Sequence, residues 1–173
     1  MKTKSHIVFF SALIFTMWSV PIHAEFTVAK VFGDNMILQR DSPIHIWGWG
    51  TPDEVLRISF NGSQKSITID KEGTWEAYLP SFPVGGPHTL NIEGSNTVQF
   101  ENILMGDVWL CSGQSNMQWN LHQTQYKEED LDFLEKNMVR MFTVQIAWDC
   151  LPGEDIAGGQ WSMGGCRDLV AKE

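Results

Sequence analysis

Residues Val55 to Asp70 read VLRISFNGSQKSITID. Two alternating apolar–polar runs meet at Asn61-Gly62. A two-residue hairpin turn of type I′ needs positive φ at both central positions, and Asn followed by Gly meets that need. The stretch therefore predicts a β-hairpin. Asn61-Gly62-Ser63 also fits an N-glycosylation sequon in an exported chain, but the alternation on both sides favours the plain turn.

The same grammar continues on both sides of the hairpin. PIHIWGWG (Pro43–Gly50) alternates and ends in glycines. GTWEAYLP (Gly73–Pro80), GGPHTLNIEG (Gly85–Gly94) and TVQFENILMG (Thr97–Gly106) follow, separated by turn residues. Short strands at close spacing predict a β-sandwich for residues 25–105. About eighty residues can build a small two-layer core. Trp47, Trp49, Phe60, Trp75 and Phe100 are the candidates for it.

The start of the chain has a different character. Lys2 and Lys4 precede an apolar run, Ile7 to Val20, and Pro-Ile-His-Ala ends at a small residue, Ala24. That is the pattern of a secretory signal peptide, residues 1–24, cleaved after Ala24. At 14 residues the run is shorter than the roughly 20 that cross a bilayer. A secreted or periplasmic protein is expected, with no membrane attachment after cleavage. The net charge of −9 gives it no electrostatic reason to seek nucleic acid or an anionic membrane. Three cysteines, Cys111, Cys150 and Cys166, leave at least one thiol unpaired within the chain. No Cys-x-x-Cys and no His at zinc-ligand spacing occurs, so no metal site is read.

After Gly106 the pattern changes. VWLC (Val108–Cys111) is apolar without alternation, as in a strand covered on both faces. EEDLDFLEKNM (Glu128–Met138) places Leu131, Leu134 and Met138 at helical spacing, with acidic residues in the first turn. VRMFTV (Val139–Val144) reads as a strand, and the glycine-rich stretch Gly153–Cys166 as a loop. Strand, turn, helix, strand opens an α/β parallel sheet. The 68 residues from Gly106 to Glu173 supply few of the βα units such a sheet needs, and the expectation is an incomplete second domain over 106–173.

Between VWLC and the next apolar residues stands Ser-Gly-Gln-Ser-Asn. A serine at the carboxyl end of a parallel strand lies where α/β sheets bind ligands. A helix starting there would aim free N–H groups at a developing oxyanion. Ser and Asn are also preferred helix N-caps, so Ser115 reads either as a nucleophile or as a cap. Met117 stands where the second glycine of a Gly-x-Ser-x-Gly elbow would be. His122 lies seven residues on; a helix between them would separate the two by about 10.5 Å at 1.5 Å per residue, too far for a hydrogen bond. His45 and His88 belong to the β region. No general base is identified within the chain.

VFGDNMILQRDSPIHIWGWG (Val31–Gly50) together with GDVWLCSGQSNMQWNL (Gly106–Leu121) resembles the sialate O-acetylesterase family, carbohydrate esterases with an SGNH-type (GDSL-like, flavodoxin-like) catalytic domain. The resemblance runs from about Phe26 to the C-terminus and implies a small β-sandwich followed by the first part of the α/β hydrolase domain. It implies that Ser115 is the nucleophile, that its N–H serves the oxyanion hole, and that Gly113, Gln114 and Asn116 shape the loop. It implies an O-acetylated sugar as substrate and no cofactor. The family's base sits in an Asp-x-x-His segment, which this sequence lacks; the 173 residues alone are therefore expected to be inactive or nearly so. Two other readings stand beside it: an acetylxylan-type SGNH esterase, and a secreted carbohydrate-binding β-module with a vestigial hydrolase segment.

Overall fold

A computed structural model describes residues 25–119, 125, 127–136, 138–148 and 151–163. The leader, His122, Cys150, Cys166 and the last ten residues lie outside them. Strands dominate: β1 Thr27–Val28, β2 Ile37–Gln39, β3 Ile44–Trp49, β4 Val55–Phe60, β5 Ser63–Thr68, β6 Thr74–Leu79, β7 Gly85–Glu93 and β8 Thr97–Gly106 come first. A helix, α1 Glu128–Lys136, and two strands, β9 Arg140–Val144 and β10 Gly159–Met163, follow.

The β4–β5 hairpin forms as its turn demands. Asn61 (φ 45°) and Gly62 (φ 79°) are both left-handed, and Phe60 pairs with Ser63 across them. A methyl group on Gly62 would meet nothing within 4 Å. Conformation, not space, selects glycine there.

The first eight strands form two sheets, one ordered β1-β3-β6 and the other β2-β8-β7-β4-β5. One hydrophobic core joins them. Ile44, Ile46, Trp75, Ala77 and Leu79 enter it from the smaller sheet; Leu56, Ile58, Phe60, Leu90, Ile92, Ile103 and Met105 enter from the larger. The period of two puts alternate residues on the core face, and in β6 the buried set is Trp75, Ala77 and Leu79.

The same parity corrects part of the expected core. Phe60 and Trp75 are buried, and Phe100 packs partly against them. Trp47 and Trp49 share a face with exposed His45, because Ile44, Ile46 and Gly48 take the inward positions of β3. Those two indoles stand on the outer surface of the small sheet. Gly48 lies directly opposite Trp75, whose ring covers it and donates its Nε1–H to the Thr27 carbonyl at 3.2 Å.

The β5–β6 connection is a tight acidic turn. Asp70 accepts the Thr74 N–H at 2.7 Å and the Thr74 hydroxyl at 2.6 Å. The Thr74 hydroxyl, then the backbone N–H groups, hold the Asp70 carboxyl below its ordinary range. A carboxyl lowered in the folded state stabilises the fold above its unfolded pKa, about 3.9, and that contribution disappears as pH falls through the folded value. Asp70→Asn is expected to flatten the stability profile below about pH 4 without changing its shape above pH 6. Urea titrations at stepped pH check this; an unchanged acid limb would refute it.

The structure departs from the expected α/β parallel pattern after Gly106. Residues 108–111 form no strand, and Trp109 and Leu110 are 84% and 95% exposed. A strand covered on both faces needs a neighbouring strand for its backbone groups, and no described segment pairs with these residues. Helix α1 does form. Asp130 reaches back to accept the Lys127 N–H at 2.9 Å, one half of a capping box. It ends sooner than the spacing predicted, since Met138 turns left-handed at φ 53°. The glycine-rich stretch holds a strand: β10 pairs antiparallel with β9, from Gly159↔Val144 to Met163↔Arg140. A Cβ on Gly159 would collide with the Phe142 ring, so one glycine of the supposed loop is a strand residue made small by its partner.

That hairpin fastens to the two-sheet body. Asn35 and Asn102 are both left-handed and share a hydrogen bond, Asn102 Nδ2 to Asn35 Oδ1, at 2.8 Å. The Arg140 guanidinium donates to Asn102 Oδ1 at 3.1 Å and to the Asn102 carbonyl. Trp161 Nε1–H donates to the Val31 carbonyl at 2.8 Å.

Candidate active site

The segment bearing Ser115 leaves the body at a defined point. Strand β2 runs parallel to β8, with Gln39 opposite Gly106. The next residues of each, Arg40 and Asp107, therefore emerge side by side. Arg40 Nε donates to Asp107 Oδ1 at 3.0 Å and its Nη2 to Oδ2 at 3.4 Å. Arg40 Nη1 holds Asp41 at 2.8 Å. Gln39 Oε1 accepts the Val108 N–H at 3.0 Å, and the Arg40 N–H binds the Gly106 carbonyl at 2.9 Å. Hydrogen bonding to Asp107, with the charges of Asp107 and Asp41, raises the Arg40 pKa above its ordinary value. Sequence reading did not find this clamp; its signals were the Gln39-Arg40-Asp41 triplet and Asp107, 67 residues apart for the principal pair.

Both charged side chains are substantially exposed, 40% for Arg40 and 57% for Asp107, so solvent screens the pair and it adds little global stability. Its effect is local. Arg40→Ala is expected to leave the thermal midpoint nearly unchanged while speeding amide hydrogen exchange at Val108 and its neighbours tenfold or more. Equal protection in both proteins would show that the clamp does not hold the segment.

Beyond the clamp the chain runs to a 3-10 turn, Ser115–Gln118. Gln114 is extended (φ −88°, ψ −165°) and occupies the cap position, making no side-chain cap hydrogen bond. Ser115 is the first residue of the turn and does not cap it. That removes the ground for the cap reading and leaves an exposed hydroxyl. Gly113, Gln114 and Asn116 are exposed with it. Cys111, four residues before, is a free exposed thiol.

The described histidines are engaged elsewhere. His45 Nε2 lies 3.0 Å from Glu76 Oε2, and its ring stacks on Tyr78. His88 packs edge-on against Phe60. Among the described residues no group of three His, Cys, Asp or Glu side chains converges as metal ligands do.

No protein-family model matches the chain. Curated proteins do. Sialate O-acetylesterase of Mus musculus is 34% identical over 134 residues, 70% of this chain and 25% of that protein. Sialate O-acetylesterase of Homo sapiens is 36% identical over 110 residues, 57% of this chain and 21% of that protein. Among solved structures, a carbohydrate acetylesterase from Xanthomonas citri superposes with a TM-score of 0.76 at 32% identity, covering 82% of this chain and 33% of that one. The chain thus spans about a quarter of the length of the curated relatives it matches.

Proposed function

We propose that this homologue of the sialate O-acetylesterases serves the removal of O-acetyl groups from sugars, with Ser115 as nucleophile. The observation that carries the reading is the position of Ser115. It is an exposed serine at the first residue of a tight turn, preceded by an extended, uncapped residue, on a segment clamped at Asp107 and Val108. The names of the relatives supply the substrate class.

In the reaction the Ser115 hydroxyl attacks the acetyl carbonyl and gives its proton to a general base. The tetrahedral oxyanion collapses, the sugar oxygen leaves with that proton, and water hydrolyses the acetyl-serine by the same steps. N–H groups at the turn, that of Ser115 first, would stabilise the oxyanion, as such donors do when preorganised. Gly113, Gln114 and Asn116 would shape the loop.

We place the two joined sheets, residues 25–105, as a β-sandwich domain and residues from 106 onward as the opening of an SGNH-type hydrolase domain. The leader, residues 1–24, would direct the chain to the periplasm or outside the cell, leaving Glu25 as the first residue. Mass spectrometry of the exported protein tests that start.

Acetate release from O-acetylated sialosides and from acetylated xylan, measured side by side, tests the function. Release that depends on Ser115 and on an accompanying histidine base is the expected result. Release from neither substrate in the presence of that base would overturn the reading.

A further inference from the structure

The β4–β5 turn carries a reactive pair of groups that the ester chemistry does not use. Asn61 is the only asparagine in the sequence followed by glycine. Its side-chain carbonyl carbon and the Gly62 backbone nitrogen are separated by the number of bonds that closes a five-membered ring. Three things ordinarily hinder that closure in a folded chain: a side chain on the following residue, a hydrogen bond on its N–H, and partners on the asparagine amide. Gly62 has no side chain, and a Cβ built on it meets nothing within 4 Å. Among the described residues no hydrogen bond engages the Asn61 side chain or the Gly62 N–H. Both residues are exposed.

The position of the turn removes a fourth hindrance, rigidity. Strand β5 is the edge of the larger sheet, paired on one side only, with β4. Four of its six residues are exposed. An edge hairpin with few buried contacts opens locally at small cost, so the backbone at Asn61 and Gly62 can reach the geometry of attack without unfolding the core.

We propose that Asn61 is a self-modifying site, converting to an isoaspartyl residue without an enzyme. The Gly62 nitrogen attacks Cγ of Asn61 and gives its proton to water or hydroxide. The bond from Cγ to the side-chain nitrogen breaks, ammonia leaves, and a succinimide closes. Water then opens either carbonyl of the ring. One opening leaves an ordinary aspartyl residue; the other leaves the main chain running through Cβ, one carbon longer. A two-residue type I′ turn sets the register of its hairpin through the φ angles of both residues, and a longer backbone does not fit it. The Phe60–Ser63 pairing is therefore lost and β5 loosens. Strand β4 stays in place, since β7 pairs with it on the other side and Leu56, Ile58 and Phe60 are buried. The Ser115 segment leaves the sheet at the opposite edge, beyond β2 and β8, so the proposal does not rest on the esterase reading.

Peptide mapping by mass spectrometry tests it on the 173-residue chain held in neutral buffer and sampled over weeks, with isoaspartyl methyltransferase labelling the product. Isoaspartate is expected at Asn61, forming at least tenfold faster than at any other asparagine. The rate in the native chain should lie within tenfold of that in urea. Gly62→Ala should slow it at least tenfold, and Asn61→Gln should abolish it. Amide hydrogen exchange along β5 should speed up at least tenfold in the converted protein. Conversion in urea but not in the native chain would show that the turn protects the residue and would overturn the proposal. So would a rate indifferent to Gly62→Ala, or a glycan on Asn61 of the exported chain, which would block the same amide.

Discussion

Under the proposed reaction, Ser115→Ala is expected to remove at least three orders of magnitude of acetyl-ester hydrolysis wherever a histidine base serves this serine, and to change nothing in the 173 residues tested alone. Loss of a catalytic serine costs between about 10³ and 10⁶ in kcat, because the base and oxyanion donors act on that one oxygen. Without the base the hydroxyl is a weak nucleophile. The sequence holds no Asp-x-x-His. His45 is bonded to Glu76 and stacked on Tyr78, and His88 is set against Phe60. The measurement is p-nitrophenyl acetate hydrolysis with and without that base, each with and without the substitution. Enzyme-like turnover by the 173 residues, abolished by Ser115→Ala, would place the base within them and make His122 the first residue to replace.

Gly48→Ala is expected to destabilise the two-sheet body by about 3 kcal/mol, at the upper end of what overpacking costs. A Cβ at this position would overlap the Thr27 carbonyl oxygen and sit 2.9 Å from two atoms of the Trp75 indole. Neither neighbour yields easily. Thr27 is held in β1 by its pairing with Trp49, and Trp75 is buried and bonded to the same carbonyl. The methyl must push β1 off the sheet or drive the indole out of the core. Gly62→Ala is the control. It strains a positive φ but meets open space, and should cost only about 1 kcal/mol. Urea denaturation of the two variants separates the effects; equal losses would mean that strand β1 adapts freely.

The contrast between these glycines shows how much of the fold was legible. Gly62 was readable from its neighbours, since a type I′ turn is decided by the two residues in it. Gly48 was not, because its requirement comes from Trp75 and Thr27, which adjoin it only once three strands pair. Trp47 and Trp49 were misplaced for a related reason. Alternation shows that successive side chains oppose each other, but not which set faces inward. Strand β10 was hidden because Gly159 is small for the sake of the Phe142 ring.

The candidate site divides in the same way. Ser115 and its loop, Gly113 to Asn116, were visible as a motif, because the chemistry is written in consecutive residues. The clamp that holds the segment was not, because Arg40 and Asp107 become neighbours only through the parallel register of β2 and β8. The cap reading of Ser115 ended on a backbone fact, the extended Gln114 in the cap position.

Local chemistry in the sequence was enough to determine the β4–β5 turn, the alternating strands around it and helix α1, and to single out the serine of the proposed function. Tertiary structure alone decided the inward face of β3, the pairing of Arg40 with Asp107 and the burial of Trp75 over Gly48. The physical reason is range. Turns and strand alternation are set by steric and solvation preferences within a few residues. Face, register and ion pairing depend on contacts between segments tens of residues apart, which exist only after the sheets have joined around their core.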